Sequence, residues 1–312
     1  MSLFLGIDTS NYTTSVAVYN SENGEMLQRK QLLPVKQGQL GLRQSDAVFH
    51  HTQQLHTLVE DIAKKVDLSG VSALGVSTRP RPVDGSYMPC FTVGENTARI
   101  ISAVIKKPLL TFSHQEGHIA AALFSAARDD LFEKEFLAFH ISGGTTEAVL
   151  AKGSTSSFAV KEAAKTLDLN AGQAVDRVGL MLGLKFPCGP QLEQLALNNT
   201  EKFKVRPTLK GVDCCLSGLE NQCKKMLDNA ESKEKIAAFC LAFIQTTLEK
   251  MTEKLLEQYG NLPVIFAGGV MSNSIIRNAL TEKFGATFAK PEYSADNAAG
   301  IAYLAYKKYT EI

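Results

Sequence analysis

Phe4-Leu-Gly-Ile-Asp-Thr-Ser10 lies near the start of the 312-residue chain, as an apolar run that ends in small polar residues. Ser15-Val-Ala-Val-Tyr19 follows it and is rich in β-branched and aromatic residues. Two short runs of this kind, separated by a few turn-forming residues, are typical of a β-hairpin. The sequence therefore predicts a hairpin whose turn carries Asp8, Thr9 and Ser10.

The pattern of an apolar run followed by a small-residue turn occurs twice more. Phe136-Leu-Ala-Phe-His-Ile141 leads into Ser142-Gly-Gly-Thr-Thr146 and then Glu147-Ala-Val-Leu150, which predicts a second hairpin. Pro263-Val-Ile-Phe-Ala-Gly-Gly-Val270 precedes a helical pattern from Ile275 to Phe284. A glycine turn between a strand and a helix lets backbone N–H groups approach a phosphate or a nucleoside.

Helical patterns fill most of the chain between these turns. Apolar residues recur at helical spacing in the stretches 45–65, 94–105, 118–127, 172–182, 236–259 and 296–309. Strands that alternate with helices indicate an α/β protein. The duplicated hairpin further predicts two related α/β lobes, residues 1–130 and 131–312, with a nucleotide cleft between them.

Composition narrows the class of protein. The chain has 33 Lys and Arg against 32 Asp and Glu, which argues against a general nucleic-acid coat but is compatible with a local basic patch. Its longest apolar stretch, 236–244, is far shorter than the roughly 18 residues that a membrane span needs. The six cysteines form no C-x-x-C pair and are expected to be reduced thiols. We therefore expect a cytoplasmic protein without a membrane partner.

His114-Gln-Glu-Gly-His118 is the sharpest candidate for chemistry. Histidines at positions i and i+4 lie on one face of a helix, as in two-histidine metal sites, and Ser113 is placed to cap that helix. The alternative is a pair of ordinary polar helix residues. A third ligand from elsewhere would complete a His-His-Asp set suited to iron or zinc. Asp296 is the candidate, and capping of the last helix is its alternative role.

The turns provide candidates for nucleotide binding. If the lobes are duplicates, Asp8-Thr-Ser10 and Ser142–Thr146 face each other and can hold a triphosphate, with Asp8 reaching Mg²⁺ through water. Asp176 lies on a predicted helix, where it either reaches a ribose hydroxyl or is an exposed helix carboxylate. The stretch Phe186–Pro190 either lets the backbone approach a sugar or base, or is simply a turn.

In combination, these segments resemble the TsaD-like family of tRNA threonylcarbamoyladenosine transferases, formerly called O-sialoglycoprotein endopeptidases or the glycoprotease family. The resemblance extends from Gly6 to about Tyr306. It is carried, in chain order, by Gly6-Ile-Asp-Thr-Ser10, His114-Gln-Glu-Gly-His118, Ser142-Gly-Gly144, Ala171-Gly-Gln-Ala-Val-Asp176, Pro187-Cys-Gly-Pro190, Leu216-Ser-Gly-Leu219, Ala267-Gly-Gly-Val-Met-Ser-Asn273 and Asp296-Asn297.

The resemblance implies an actin-like, Hsp70-like ATPase fold and a metal-dependent, ATP-binding acyltransferase. The implied metal ligands are His114, His118 and Asp296. The implied substrate is ATP or threonylcarbamoyl-adenylate, and the implied acceptor is a tRNA adenosine. With the turn residues included, the predicted nucleotide-binding set is Asp8, Thr9, Ser10, His140, Ile141, Ser142, Gly143, Gly144, Asp176, Gly189, Gly268, Gly269 and Asn273.

The chain departs from the family pattern at several positions, which marks it as a divergent paralogue. Thr145 stands where the family has histidine, Gln173 stands where it has glutamate, and 78–89 replaces a Gly-Pro-Gly-Leu loop. The function implied by the resemblance is threonylcarbamoyl transfer to tRNA or to a related acceptor, and there are two alternatives to it. One is a non-catalytic subunit that pairs with an actin-like partner through the helix at 45–65. The other, least favoured, is a metallopeptidase, for which Glu116 is the only obvious base.

Overall fold

The computed structural model describes residues 2–10, 12–34, 42–294 and 298–311. The helices in these ranges are α1 (Gln44–Ala63), α2 (Phe91–Ile105), α3 (His114–Ser125), α4 (Ala171–Met181), α5 (Gly189–Leu197), α6 (Ser217–Asp228), α7 (Lys233–Tyr259), α8 (Ser274–Phe284) and α9 (Ala298–Tyr309). The strands are β1 (Leu3–Asp8), β2 (Thr13–Asn20), β3 (Met26–Leu32), β4 (Val71–Arg79), β5 (Leu109–Ser113), β6 (Glu135–Ile141), β7 (Thr146–Ser154), β8 (Ser157–Lys165), β9 (Thr208–Lys210), β10 (Asp213–Cys215), β11 (Val264–Ala267) and β12 (Thr287–Phe288).

The chain divides into two compact units. The first consists of Met1–Lys134, Lys152–Ala159 and Glu292–Ile312, and the second of Glu135–Ala151 and Val160–Pro291. The sequence-based division placed 131–312 in one lobe, whereas the structure returns the end of the chain to the first unit. The reason is that α9 packs on β1, β2 and β4.

The first unit is built on a five-stranded sheet in the order β3-β2-β1-β4-β5. β1 pairs antiparallel with β2 and parallel with β4, which pairs parallel with β5. Every residue of β1 is buried, as expected of a central strand with helices on both faces. Leu5 and Ile7 pack with α1 and α2, while Gly6 between them faces α9, as the two-residue period of a strand requires.

Glycines bring α3 close to α9 within this unit. A Cβ on Gly300 would collide with the backbone of Gly117, and a Cβ on Gly117 would collide with the side chain of Ile301. Because backbone cannot give way as the end of a side chain can, the close approach of α3 and α9 requires glycine at position 300 above all.

The second unit contains a five-stranded sheet in the order β12-β11-β6-β7-β8. β11 lies parallel to both β6 and β12. Phe139, Phe266 and Phe288 form a row of stacked rings across these three strands, with centroids 4.5 and 5.4 Å apart. The strongly buried face of α7 fills the core of this unit together with α4, α5 and α6.

The structure confirms both predicted hairpin positions, the strand–glycine–helix unit at β11 and α8, and the α/β class. It adds that each unit is built on a five-stranded sheet. Of the helices in the described ranges, none is both long and apolar enough to span a membrane. Two helices were not predicted. α5 begins at Gly189-Pro190, a pair that resembles a turn, and α6 is short and largely polar.

Candidate functional site

The start of α3 carries the two predicted metal-binding histidines. Ser113 caps the helix as predicted: its Oγ accepts from the Glu116 N–H at 3.2 Å, and its own N–H donates to Glu116 Oε2 at 2.7 Å. This capping box occupies Glu116, the residue that a metallopeptidase would need as its base. The box fixes the first turn of α3, from which His114 and His118 project on one face.

The two imidazoles point their Nε2 atoms at each other. His114 Nε2 and His118 Nε2 lie 2.8 Å apart, and the ring centroids are 4.2 Å apart. On the other side of the ring, His114 Nδ1 donates to Asp8 Oδ2 at 2.8 Å. A carboxylate that holds one imidazole nitrogen is the usual way in which proteins orient a metal-binding histidine and fix its tautomer.

Asp8 is the polar centre of this arrangement, and only 1% of it is exposed. Its Oδ1 accepts from the Ser10 N–H at 3.0 Å and the Ser77 hydroxyl at 2.6 Å. Its Oδ2 accepts from His114 and, at 3.3 Å, from the Ser10 hydroxyl. These bonds compensate for burying a charged carboxylate.

The donor set fits a divalent transition metal, because two converging neutral imidazole nitrogens are ligands that iron and zinc accept. Within the described ranges, no group of three His, Cys, Asp or Glu side chains is arranged to hold a metal. Asp296, the predicted third ligand, lies outside the described residues. His114 and His118 are therefore the members of the predicted metal-binding set that the structure describes, and metal binding by them stays a prediction.

The remaining residues of the first turn, Thr9 and Ser10, are buried and used internally. Thr9 Oγ1 donates to the Cys90 carbonyl at 3.0 Å and accepts from the Gly94 N–H at 3.1 Å. The hydroxyl thus anchors the beginning of α2 to the end of β1. Nucleotide binding by Asp8, Thr9 and Ser10 stays a prediction.

The second turn, between β6 and β7, is open. Ser142 Oγ accepts from the N–H groups of Gly144 and Thr145, and the Ser142 N–H donates to the Thr145 carbonyl at 2.7 Å. Gly143 and Gly144 are exposed, and a Cβ added to either would meet nothing within 4 Å. Protein packing therefore does not require glycine at these two positions.

The third turn, Gly268–Asn273, joins β11 to α8. Gly268 has a φ of +103°, and a Cβ there would collide with the Ile141 carbonyl, so this glycine is structural. Gly269 faces open space. Asn273 is the N-cap of α8, and its Oδ1 accepts from the Ile276 N–H at 3.1 Å.

The second and third turns border a cavity of about 550 Å³ in the second unit. That volume lies within the range of small-molecule sites, about 300–1,000 Å³. The residues that line it are Gly143, Gly172, Val175, Asp176, Phe186, Pro187, Gly189, Pro190, Glu193, Leu241, Gly269, Val270, Ser272 and Asn273.

Four polar side chains line this cavity: Asp176, Glu193, Ser272 and Asn273. Asp176 Oδ1 accepts from the Cys188 N–H at 2.8 Å, and Glu193 Oε1 accepts from the Ser274 N–H at 2.8 Å. In the part of the chain that the structure describes, the second oxygen of each carboxylate has no hydrogen-bond partner, and neither has the amide nitrogen of Asn273. The cavity thus combines two carboxylate acceptors, one amide donor and one serine hydroxyl with an apolar wall.

The structure sorts the predicted residues of the second unit into two groups. Five of them line the cavity: Gly143, Asp176, Gly189, Gly269 and Asn273. The other five lie on the same turns or strand without lining it: His140, Ile141, Ser142, Gly144 and Gly268. Glu193 was missed because α5 was not predicted, although its position four residues after Gly189 places it one helical turn onward.

A five-stranded sheet packed with helices occurs once in each unit, and this repeated arrangement is the actin-like ATPase fold. The component A of (R)-2-hydroxyglutaryl-CoA dehydratase from Acidaminococcus fermentans has this arrangement at a TM-score of 0.58, with 17% identity over 99% of this chain and 100% of that one.

The family follows from sequence comparison. The model of the TsaD family, "tRNA N6-adenosine threonylcarbamoyltransferase", matches residues 35–303, and the chain belongs to this family of acyltransferases. The threonylcarbamoyltransferase of Archaeoglobus fulgidus is 26% identical over 98% of this chain and 91% of its own length. The Sulfurihydrogenibium relative is 30% identical over 98% of this chain and 90% of its own.

Proposed function

We propose that this protein transfers a threonylcarbamoyl group from its adenylate to N6 of an adenosine in tRNA. The observation that carries the proposal is the cavity of the second unit, in which glycine turns and four polar side chains surround a space of nucleotide size. Membership of the TsaD family supplies the reaction class and the acceptor.

In this reaction N6 of the adenosine attacks the carbonyl carbon of the threonylcarbamoyl group. A carbon–nitrogen bond forms, the bond from that carbon to the phosphate oxygen of the adenylate breaks, and AMP leaves with the bonding electrons. N6 loses one proton, which passes to the solvent. The role of the protein is to hold both reactants in position, which is a major source of rate enhancement for group transfer.

The cavity residues have distinct tasks in this proposal. The second carboxylate oxygen of Asp176 accepts a hydrogen bond from a ribose hydroxyl, as does that of Glu193. The amide nitrogen of Asn273 donates to the nucleotide. Gly143 and Gly269 leave room for the ligand to approach the backbone. Burial and the Asp176 carboxylate raise the pKa of the Cys188 thiol, so Cys188 stays protonated and contributes packing.

We further propose that His114 and His118 hold one divalent iron or zinc ion, with Asp296 as the third ligand. Lewis-acid polarisation of the carbamoyl carbonyl is the chemistry that such an ion supplies when bound. The contribution of this chain is the orientation of His114 by Asp8. A cytoplasmic location completes the proposal and agrees with six free thiols in the structure.

The test is reconstitution with threonine, bicarbonate, ATP, an enzyme that forms threonylcarbamoyl-adenylate, and unmodified tRNA. Mass spectrometry of the digested tRNA is expected to show threonylcarbamoyladenosine. Asp176→Asn keeps an oxygen for the Cys188 N–H but loses the second acceptor, and it should lower kcat/KM at least about tenfold. Asp228→Asn, on the exposed face of α6, is the matched control. Unmodified tRNA with the wild-type protein would refute the proposal.

A further inference from the structure

The segment 202–210 in the second unit carries a basic residue at nearly every second position. Its sequence is Lys-Phe-Lys-Val-Arg-Pro-Thr-Leu-Lys, with four cations and no carboxylate, in a chain whose net charge is only +1. Lys202, Lys204, Arg206 and Lys210 are all exposed. We call these four residues the basic strip.

Apolar residues between the cations hold the strip against the second unit. The residues at 203, 205, 207 and 209 are half-buried, so burial alternates along the segment as in an extended chain. The Phe203 ring lies 5.5 Å from that of Phe239 on α7, and Val205 and Leu209 pack on the core of the unit. β9 pairs with β10 at the end of the strip. The cations are therefore displayed from an anchored segment.

The carboxylates that flank the strip form an ion pair or a hydrogen bond with residues outside it. Glu201 forms an ion pair with Lys235 at 3.0 Å, and Asp213 Oδ1 accepts from the Lys165 N–H at 2.8 Å. Within the described ranges, none of the four cations has an ion-pair partner. The positive charge of the strip is thus available to an external anion.

We infer that the basic strip binds the phosphate backbone of tRNA, an inference that rests on the proposed function for its choice of polyanion. In an extended segment alternate side chains recur about every 6–7 Å. This separation is comparable to that of successive phosphates along an RNA strand. Phosphate contacts of this kind position the nucleic acid and do not read its sequence.

The test is tRNA binding by fluorescence anisotropy between 50 and 200 mM KCl. Lys202→Gln/Lys204→Gln/Arg206→Gln should bind unmodified tRNA at least about tenfold more weakly at low salt, with the slope of log K against log salt shallower by about two. The charge-conserving variant Lys202→Arg/Lys204→Arg/Arg206→Lys should bind like the wild type. This rescue separates loss of charge from loss of fold.

A matched control removes three exposed cations from the first unit, in Lys65→Gln/Lys106→Gln/Lys107→Gln, and should keep the wild-type slope. An unchanged affinity and slope in the strip variant, or an equal loss in the control, would overturn the inference. The transfer assay decides the proposed function separately. If the wild type modifies tRNA and the strip variant binds tRNA normally, the inference about the basic strip is wrong and the proposed function stands. If tRNA binding depends on the basic strip but the wild type does not modify tRNA, the proposed function is wrong and the inference about the basic strip stands.

Discussion

The two hairpin turns begin from similar sequence patterns and are used in opposite ways. In the first turn, Asp8 and Thr9 are buried and hydrogen-bonded to His114, Ser77, Cys90 and Gly94. In the second turn, Gly143 and Gly144 are exposed, and Gly143 lines the cavity. Duplication therefore does not imply duplicated function. One turn orients a histidine, and the other leaves space for a ligand.

The largest expected effect concerns the histidines that the first turn supports. His114→Ala/His118→Ala should reduce the metal content of the purified protein to background, because the two proposed ligands within the described residues are removed. The measurement is metal analysis by mass spectrometry after dialysis. His50→Ala/His56→Ala removes two histidines from α1 and should retain the metal. An unchanged metal content in the first variant would remove the metal assignment.

A smaller effect is expected when the support of His114 is altered. Asp8→Asn puts an amide in place of the carboxylate that accepts from His114 Nδ1, and it should weaken metal affinity about 10–100-fold. Competition with a chromogenic chelator measures this affinity. Ser77→Ala removes one donor to Asp8 and leaves the bond to His114, so its loss should be smaller. Equal affinities of Asp8→Asn and wild type would show that Asp8 does not orient the ligand.

Two glycines test whether room is kept for a ligand or is needed by the fold: Gly143 faces open space, and Gly268 packs against the backbone of Ile141. Gly143→Ala should leave the free energy of unfolding within about 0.5 kcal/mol of wild type and weaken AMP binding roughly tenfold. Gly268→Ala should cost at least about 2 kcal/mol, because of its positive φ and its collision with Ile141.

Urea unfolding and calorimetric titration with AMP measure these two effects. Gly218→Ala, at an exposed glycine at the start of α6 and outside the cavity, is the control. It should leave AMP affinity unchanged and the free energy of unfolding within about 1 kcal/mol of wild type. Normal AMP affinity in Gly143→Ala would mean that the open glycine is not a ligand contact.

The smallest effect concerns Asp168, a carboxylate at the start of α6 that lies outside the cavity. Burial raises its pKa, but hydrogen bonds from the Ser217 hydroxyl and from the N–H groups of Leu216, Leu169 and Ser217 outweigh burial and hold the pKa below its usual value. Asp168→Asn should destabilise the protein by about 1 kcal/mol at pH 7, as for the loss of a helix cap.

The pH dependence follows from the sign of this shift. Because the folded-state pKa lies below the unfolded-state value of about 3.9, the stabilisation is fully present above that value and is lost as the pH falls through the folded-state pKa. Urea unfolding of both proteins from pH 7 to pH 3 should show the difference shrink only below about pH 4. A constant difference over this range would contradict the role of the charge.

Features that depend on residues close together in the sequence could be predicted from the sequence. Ser113 and Glu116 form the predicted helix start, and the spacing of His114 and His118 gives the observed pair. The partnership of Asp8 with His114 joins residues 106 positions apart, which no local pattern encodes. The structural demand for Gly268 likewise arises from the carbonyl of Ile141 on another strand.

We propose that the first turn supports the two histidines predicted to bind the metal, and that the second turn leaves room for the nucleotide. The most direct test measures metal affinity and AMP affinity in Asp8→Asn and Gly143→Ala side by side. We predict that Asp8→Asn loses metal affinity and binds AMP like the wild type, and that Gly143→Ala does the reverse. A parallel loss of both affinities in either variant would contradict this division of roles.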